Sequence, residues 1–296
     1  MKFYETHFEE YLKKARNMNF HSKLENIWSN ISGNLILYGP SGSGKYSQAL
    51  LYLSRLSPSD LKYEKKVCMV YNKDNFFFKV SDIHIEINMD LLGCNAKSLW
   101  HEVYNQILDI ANTKPERKFT VLCKNFDSTH SELLSIFYSY MQTIEMLEIN
   151  YILLCENTNF IPNTILERCN IIAVPKPTKQ LIKKNFGSSI NYGSNLKNNY
   201  IQSSLEIEPI CDEIIENALY PVNFSDLRES IYNIFVLNLN ENECIYRIMK
   251  LLSEKEIINK TNALDAYINV YEFYKLYNNN YRPIYHLEKL IFSLII

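Results

Sequence analysis

Seven residues, Gly39-Pro40-Ser41-Gly42-Ser43-Gly44-Lys45, follow the apolar run Leu35 to Tyr38 and precede a helical pattern through Ala49, Leu53 and Leu56. Strand, glycine-rich turn, lysine and helix make up the G-x-x-x-x-G-K arrangement that wraps backbone N–H groups around a phosphate. The lysine reaches the outer phosphates and the helix N-terminus adds positive potential. The chain holds only seven glycines, and four fall within residues 33–44, where the backbone must adopt conformations that other residues resist. The next position breaks the pattern. Tyr46 stands where such loops carry the Ser or Thr that holds Mg²⁺, and a rigid ring carries the phenol oxygen well past the place of a Ser hydroxyl. Ser47 is rotated by about 100° around the helix and is a poor substitute. The loop is therefore expected to bind phosphates, with Mg²⁺ in doubt and no metal ligand assigned.

A second motif departs in the same direction. The apolar run 119–123 (FTVLC) leads into Lys124-Asn125-Phe126-Asp127. In P-loop ATPases an acidic residue at the end of such a strand supports Mg²⁺, often beside a Glu that orients water. Lys124 and Asn125 occupy those two places here. Asp127 stays acidic, and it reads equally well as a cap or turn residue ahead of a helix at 130. Hydrolysis by this chain is not expected.

The elements that must position these residues alternate. Strand candidates are 35–38, 83–87, 119–123, 151–155 and 171–174, and amphipathic helices lie between them. One helix runs through Leu99, Val103, Ile107 and Ile110. Another runs through Leu134, Phe137, Met141 and Ile144, opened by the capping box Thr129-x-x-Glu132. Such alternation predicts a five-stranded parallel sheet covered on both faces. Residues 67–71 and 76–80 read as a hairpin inserted before the second core strand, and the prolines of VPKPT (174–178) read as a hinge. Beyond the hinge the strand signal stops. Helical patterns follow near 208–219, 224–237, 241–255, 262–278 and 284–295, and 187–200 reads as a mobile loop. The expected domains are 1–177 (nucleotide-binding α/β), 178–238 (small helical unit) and 239–296 (terminal helical unit).

Bulk properties limit the partners. A net charge of −2 over 296 residues gives no whole-molecule field toward DNA or acidic membranes, so nucleic-acid contact must come from a local patch or from partner chains. The seven cysteines are scattered without a C-x-x-C, which fits buried thiols in a reducing compartment rather than zinc. The N-terminus is too polar for a secretory signal, and LIFSLII is too short to span a bilayer. An intracellular protein is expected, in the nucleus, the cytoplasm or a viral replication site, without membrane contact.

In order and spacing, several segments resemble the small subunits of replication factor C, the AAA+ clamp loader, and above all its nucleotide-binding but hydrolysis-deficient members. They are LILYGPSGSGK (35–45), the hairpin, IHIEINMDLLG (83–93), FTVLCKNFD (119–127), YILLCENTNFIPNTILERC (151–169) and NFSDLRESI (223–231). The resemblance covers roughly 35–232; over 241–296 it is architectural only. It implies an AAA+ α/β P-loop domain, a helical lid and a C-terminal collar that holds the chain in a ring of subunits. It also implies ATP or ADP held largely structurally. The family's S-R-C signature reads Glu167-Arg168-Cys169 here, so the resemblance makes Arg168 an arginine finger offered in trans to a neighbour's ATP. Arg228 falls at the lid's sensor arginine, though an exposed helix arginine fits as well. Glu156, with Asn157 beside it, takes the place of the first sensor asparagine, where a carboxylate would repel phosphate. Lys97, entering the helix after LLGCNA, matches a DNA-contacting position, with a solvated helix lysine as the plainer reading. Lys176, Lys179, Lys183 and Lys184 read as a solvated face. The implied partners are other clamp-loader AAA+ subunits, a sliding clamp and primer-template DNA. Two further readings stand beside this one: a working P-loop ATPase or kinase, and a scaffold that has abandoned nucleotide.

Overall fold

The computed structural model describes residues 7–18, 24, 27–28, 31–72, 74–114, 117–142, 147–178, 180, 203–219, 221–237, 239–277 and 282–295. The 187–200 segment and Lys179, Lys183 and Lys184 lie outside the described residues. The chain divides into two compact units, residues 1–189 and 190–296.

The first unit is built on strands β1 (Asn34–Tyr38), β2 (Lys65–Tyr71), β3 (Asp74–Val80), β4 (His84–Asn88), β5 (Lys118–Lys124), β6 (Glu148–Cys155) and β7 (Cys169–Ala173). They form one seven-stranded sheet in the order β2-β3-β4-β5-β6-β1-β7. Five of them (β4, β5, β6, β1 and β7) are parallel to one another. The expected five-stranded parallel sheet is thus corrected to a seven-stranded mixed one. The expected hairpin is present as antiparallel β2 and β3 ahead of β4, and it extends the sheet because β3 also pairs antiparallel with β4 through Lys79↔Glu86 and Val80↔Ile85.

Strand β1 lies between β6 and β7, with Leu35 opposite Ile152 on one side and Asn170 on the other. Its neighbours in space are therefore distant in sequence, and helices must carry the chain across the faces. Strand alternation then feeds two cores. Ile36, Val121, Cys123, Tyr151 and Leu153 point to one face. Leu35, Leu37, Leu122, Ile152 and Leu154 point to the other. Because both faces are covered, these strands read as continuous apolar runs rather than as apolar–polar alternation.

Helices α1 (Phe8–Met18) and α2 (Lys45–Leu56) cover the second face, where Phe8, Leu12, Ala49, Leu50 and Leu53 are buried. Helices α3 (Ala96–Asn112) and α4 (Ser131–Tyr140) cover the first. On α3 the buried residues Leu99, Trp100, Val103, Ile107 and Ala111 recur at helical spacing, and the Trp100 ring packs 5.1 Å from that of Phe137. A short helix α5 (Asn163–Leu166) precedes β7. The capping box at Thr129 is corrected. Thr129 ends a 3₁₀ turn, Phe126–Ser128, and the N-cap of α4 is His130, whose Nδ1 accepts from the Glu132 amide at 3.5 Å. Helix α1 has no counterpart among the sequence expectations. Its backbone is tied down by Phe8 N–H donating to Glu64 Oε2 at 2.9 Å, and its last turn by Arg16 pairing with Asp60 at 2.6 Å.

The second unit holds α6 (Ser203–Ala218), α7 (Phe224–Val236), α8 (Glu241–Glu254), α9 (Ala263–Tyr277) and α10 (Pro283–Ile295). One hydrophobic cluster runs through all five, from Ile207 and Ile214 through Ile231, Ile248 and Phe273 to Leu294. The ranges expected for lid and collar both fall on this shared core.

Candidate functional site

The loop after β1 is shaped by close backbone approach. Gly39 sits at φ +155°, and a Cβ there would lie 2.2 Å from the Val174 carbonyl oxygen, so only glycine fits. The same turn is held by the Val174 N–H donating to the Tyr38 carbonyl at 2.7 Å and the Gly39 N–H donating to the Cys155 carbonyl at 3.3 Å. Pro40, Ser41, Gly42 and Ser43 turn the chain, closed by the Ser43 N–H donating to the Pro40 carbonyl at 3.2 Å. Gly44, in the left-handed region at φ 92°, caps α2 without a side-chain hydrogen bond. The first N–H groups of α2 thus open onto the loop. Lys45 Nζ lies over the same turn and donates to the carbonyls of Gly39 at 2.6 Å and Pro40 at 3.1 Å. Gly39 to Lys45 therefore form one turn at the start of α2, and helix N–H groups with a lysine are donors of the kind that suit phosphate oxygens.

The residues that would place a metal are differently engaged, and they touch one another. Tyr46 packs edge-on against Tyr11 of α1, with ring centroids 5.1 Å apart and planes at 88°. Lys124 Nζ lies 5.2 Å over the Tyr46 ring and 3.0 Å from Oε2 of Glu86. Glu86, on β4, is nearly inaccessible, with 1% of its side chain exposed against 33% for Lys124. Its other oxygen, Oε1, is 3.9 Å from Nε2 of buried His84, an ion-pair rather than a hydrogen-bond distance. Burial pushes the Tyr46 phenol well above its usual pKa, and the Glu86 charge adds to the rise. Burial opposes ionisation of Glu86, but His84, Lys124 and Tyr46 outweigh it and hold the carboxyl below its usual range. These residues do not suit Mg²⁺. The phenol stays neutral, and the buried carboxylate is paired with an ammonium.

The rest of the acidic motif serves to fix the backbone. Asn125 adopts a left-handed conformation, φ 53°, and its amide donates to Asn88 Oδ1 at 2.9 Å and Asp90 Oδ2 at 2.6 Å. Asp127 caps neither neighbouring helix. Its carboxylate accepts from the Glu156 N–H at 2.8 and 3.0 Å and from the Asn157 N–H at 3.3 Å, which pins the turn after β6. Burial pushes its pKa up to about 6; the two backbone donors and the Lys45 charge oppose the rise, and the Glu156 charge adds to it.

Arg168 is exposed between α5 and β7, with its guanidinium 4.6 Å over the Tyr138 ring of α4. No carboxylate is paired with it among the described residues. Arg228, in the second unit, forms a two-pronged pair with Glu288 of α10, Nε to Oε1 at 2.5 Å and Nη2 to Oε2 at 3.0 Å. Lys97 is exposed in the first turn of α3. Glu86, Tyr11 and Tyr138 were not picked out by motif reasoning. A signal for Glu86 existed, since it is an acidic residue inside the apolar run IHIEI.

No protein-family model matches the sequence, and no curated protein matches it. Among solved structures, the chain is similar to PCH-2 of C. elegans at 14% identity and a TM-score of 0.36, covering 84% of this chain and 68% of that one. It is also similar to a DNA polymerase III gamma subunit-related protein from Thermotoga maritima at 13% identity and a TM-score of 0.36, covering 91% and 96%. With identities this low and TM-scores below 0.5, neither likeness carries a function to this chain. The structure itself shows an α/β unit in which Lys45 folds back over the loop that follows β1, and Lys124 meets both the Tyr46 ring and buried Glu86.

Proposed function

We propose that this chain is a nucleotide-holding, non-hydrolysing AAA+ subunit of a clamp-loader-like ATPase. It keeps ATP or ADP in its own loop for assembly and offers Arg168 to the nucleotide of a neighbouring subunit. The observation that carries the reading is the contrast within one loop. Gly39 and Lys45 preserve the cradle, while the Lys124–Glu86 pair beside the Tyr46 ring removes the means of placing a metal and water. The exposed guanidinium of Arg168 supports the second half, because a finger must reach outside its own chain. Sliding clamp and primer-template DNA enter as partners through the sequence resemblance, with Lys97 as the contact to a phosphate backbone. In the same reading Arg228 serves the lid and the helices after residue 239 the collar.

The test is nucleotide binding and turnover by the purified chain. Adenine-nucleotide binding that Lys45→Ala abolishes, with no turnover above that variant, is the expected result. Robust turnover by the chain alone favours a working ATPase, and absence of binding favours a scaffold.

A further inference from the structure

We propose that the Lys124 ammonium, held by Glu86 above the Tyr46 ring, takes the place of the divalent cation, so that this loop binds adenine nucleotide free of metal. The inference rests on the phosphate-holding reading above and deepens it.

Three observations carry it. The first is position. Lys124 ends β5 at the carboxyl edge of the parallel strands, where open α/β sheets receive ligands, and it contacts Tyr46, the residue directly after Lys45. In a metal-using loop, the residue at position 46 and the acid at position 124 would share one ion. Here the two side chains meet each other instead, with a positive charge between them. The second is the direction of exposure. Glu86 is shut in at 1% while a third of the Lys124 side chain reaches solvent. The carboxylate therefore anchors the ammonium from beneath and leaves its outer side available. The third is charge. Lys124 and Glu86 cancel, Tyr46 stays neutral, and no unpaired carboxylate remains in this trio to attract a dication. A dication carried in on the phosphates would lie beside an ammonium that Glu86 prevents from withdrawing. An ammonium and a divalent ion share the task of neutralising phosphate oxygens, but the ammonium donates hydrogen bonds and orders no water for attack. The cradle then retains nucleotide and leaves it unhydrolysed.

The experiment is equilibrium binding of a fluorescent ADP to the full chain, once in Mg²⁺ and once in EDTA. Binding in EDTA at least as tight as in Mg²⁺ is expected, with Lys45→Ala losing both. Lys124→Arg should keep metal-free binding. The double variant Lys124→Met, Glu86→Gln removes both charges without leaving a bare carboxylate in the core. It should fold, as followed by its thermal transition, and lose about tenfold or more in metal-free affinity. Binding that requires Mg²⁺ overturns this inference and leaves the phosphate-holding reading standing. Metal-free affinity unchanged in the double variant overturns it too, reducing Lys124 and Glu86 to a structural pair. Binding in neither condition overturns the phosphate-holding reading and this inference together.

Discussion

Lys124 and Glu86 form a pair whose two members stand differently toward water: 3.0 Å apart, one is a third exposed and the other almost wholly enclosed. Removing either partner is therefore not equivalent. Lys124→Met leaves a carboxylate buried without its cation, at a cost of about 3–5 kcal/mol. Glu86→Gln leaves an ammonium that can turn to solvent, at a cost of about 1–3 kcal/mol. Denaturant midpoints of the two variants should rank Glu86→Gln above Lys124→Met. The reverse order would mean that Glu86 is stabilised chiefly by His84.

Gly39→Ala puts a methyl group on top of the Val174 carbonyl, where 2.2 Å is available. Either β7 or the loop must shift, and the variant should lose about 2 kcal/mol or more of stability together with nucleotide binding. A thermal melt beside a binding titration checks both.

Asp127 makes a pH signature. Its folded pKa of about 6 lies above the ordinary aspartate value of 3.8, with burial as the main cause. The folded state therefore binds more protons than the unfolded chain between these values. This group alone makes the protein more stable as pH falls from 6 toward 4, and its unfavourable contribution is complete above 6. The span corresponds to roughly 1–3 kcal/mol. Asp127→Asn keeps an acceptor for the Glu156 and Asn157 amides and should flatten this part of the pH–stability curve, measured by denaturation at pH 4.5 to 7.

Arg168→Ala should barely alter the isolated chain, since an exposed guanidinium over one ring contributes less than about 1 kcal/mol. In the assembled complex the site it serves should slow on the order of 10³-fold or more, read as single-turnover hydrolysis at the neighbouring subunit. Nucleotide affinity of this chain stays unaltered. Complex turnover at the parent rate would remove the finger assignment.

Local patterns carried much of this molecule. Leu35–Tyr38 and the glycines after it announce a strand and a cradle because backbone conformation and burial are written into adjacent residues. The five parallel strands follow from apolar runs that both cores require. What escaped is what depends on partners far apart in the chain. The β3–β4 pairing that widens the sheet is a matter of register between Lys79 and Glu86. Tyr46 reads as a lost hydroxyl until Tyr11, Lys124 and Glu86, from three other elements, are seen around it. Asp127 looks like a cap because caps are local, yet it binds amides 29 and 30 residues away. Helix α1 lacked a conspicuous start signal, and its anchors, Glu64 and Asp60, lie more than forty residues on.

Strand β7 has one more consequence. It begins directly after Arg168 and runs into Val174, whose carbonyl oxygen lies against Gly39. Five residues of extended chain make a strut of roughly 17 Å, clamped along its length by parallel pairing to β1. One end bears on the glycine-rich loop, and the other carries the exposed Arg168. On the proposed reading, the strut sets the reach of that arginine from the shape of a loop that performs no hydrolysis of its own.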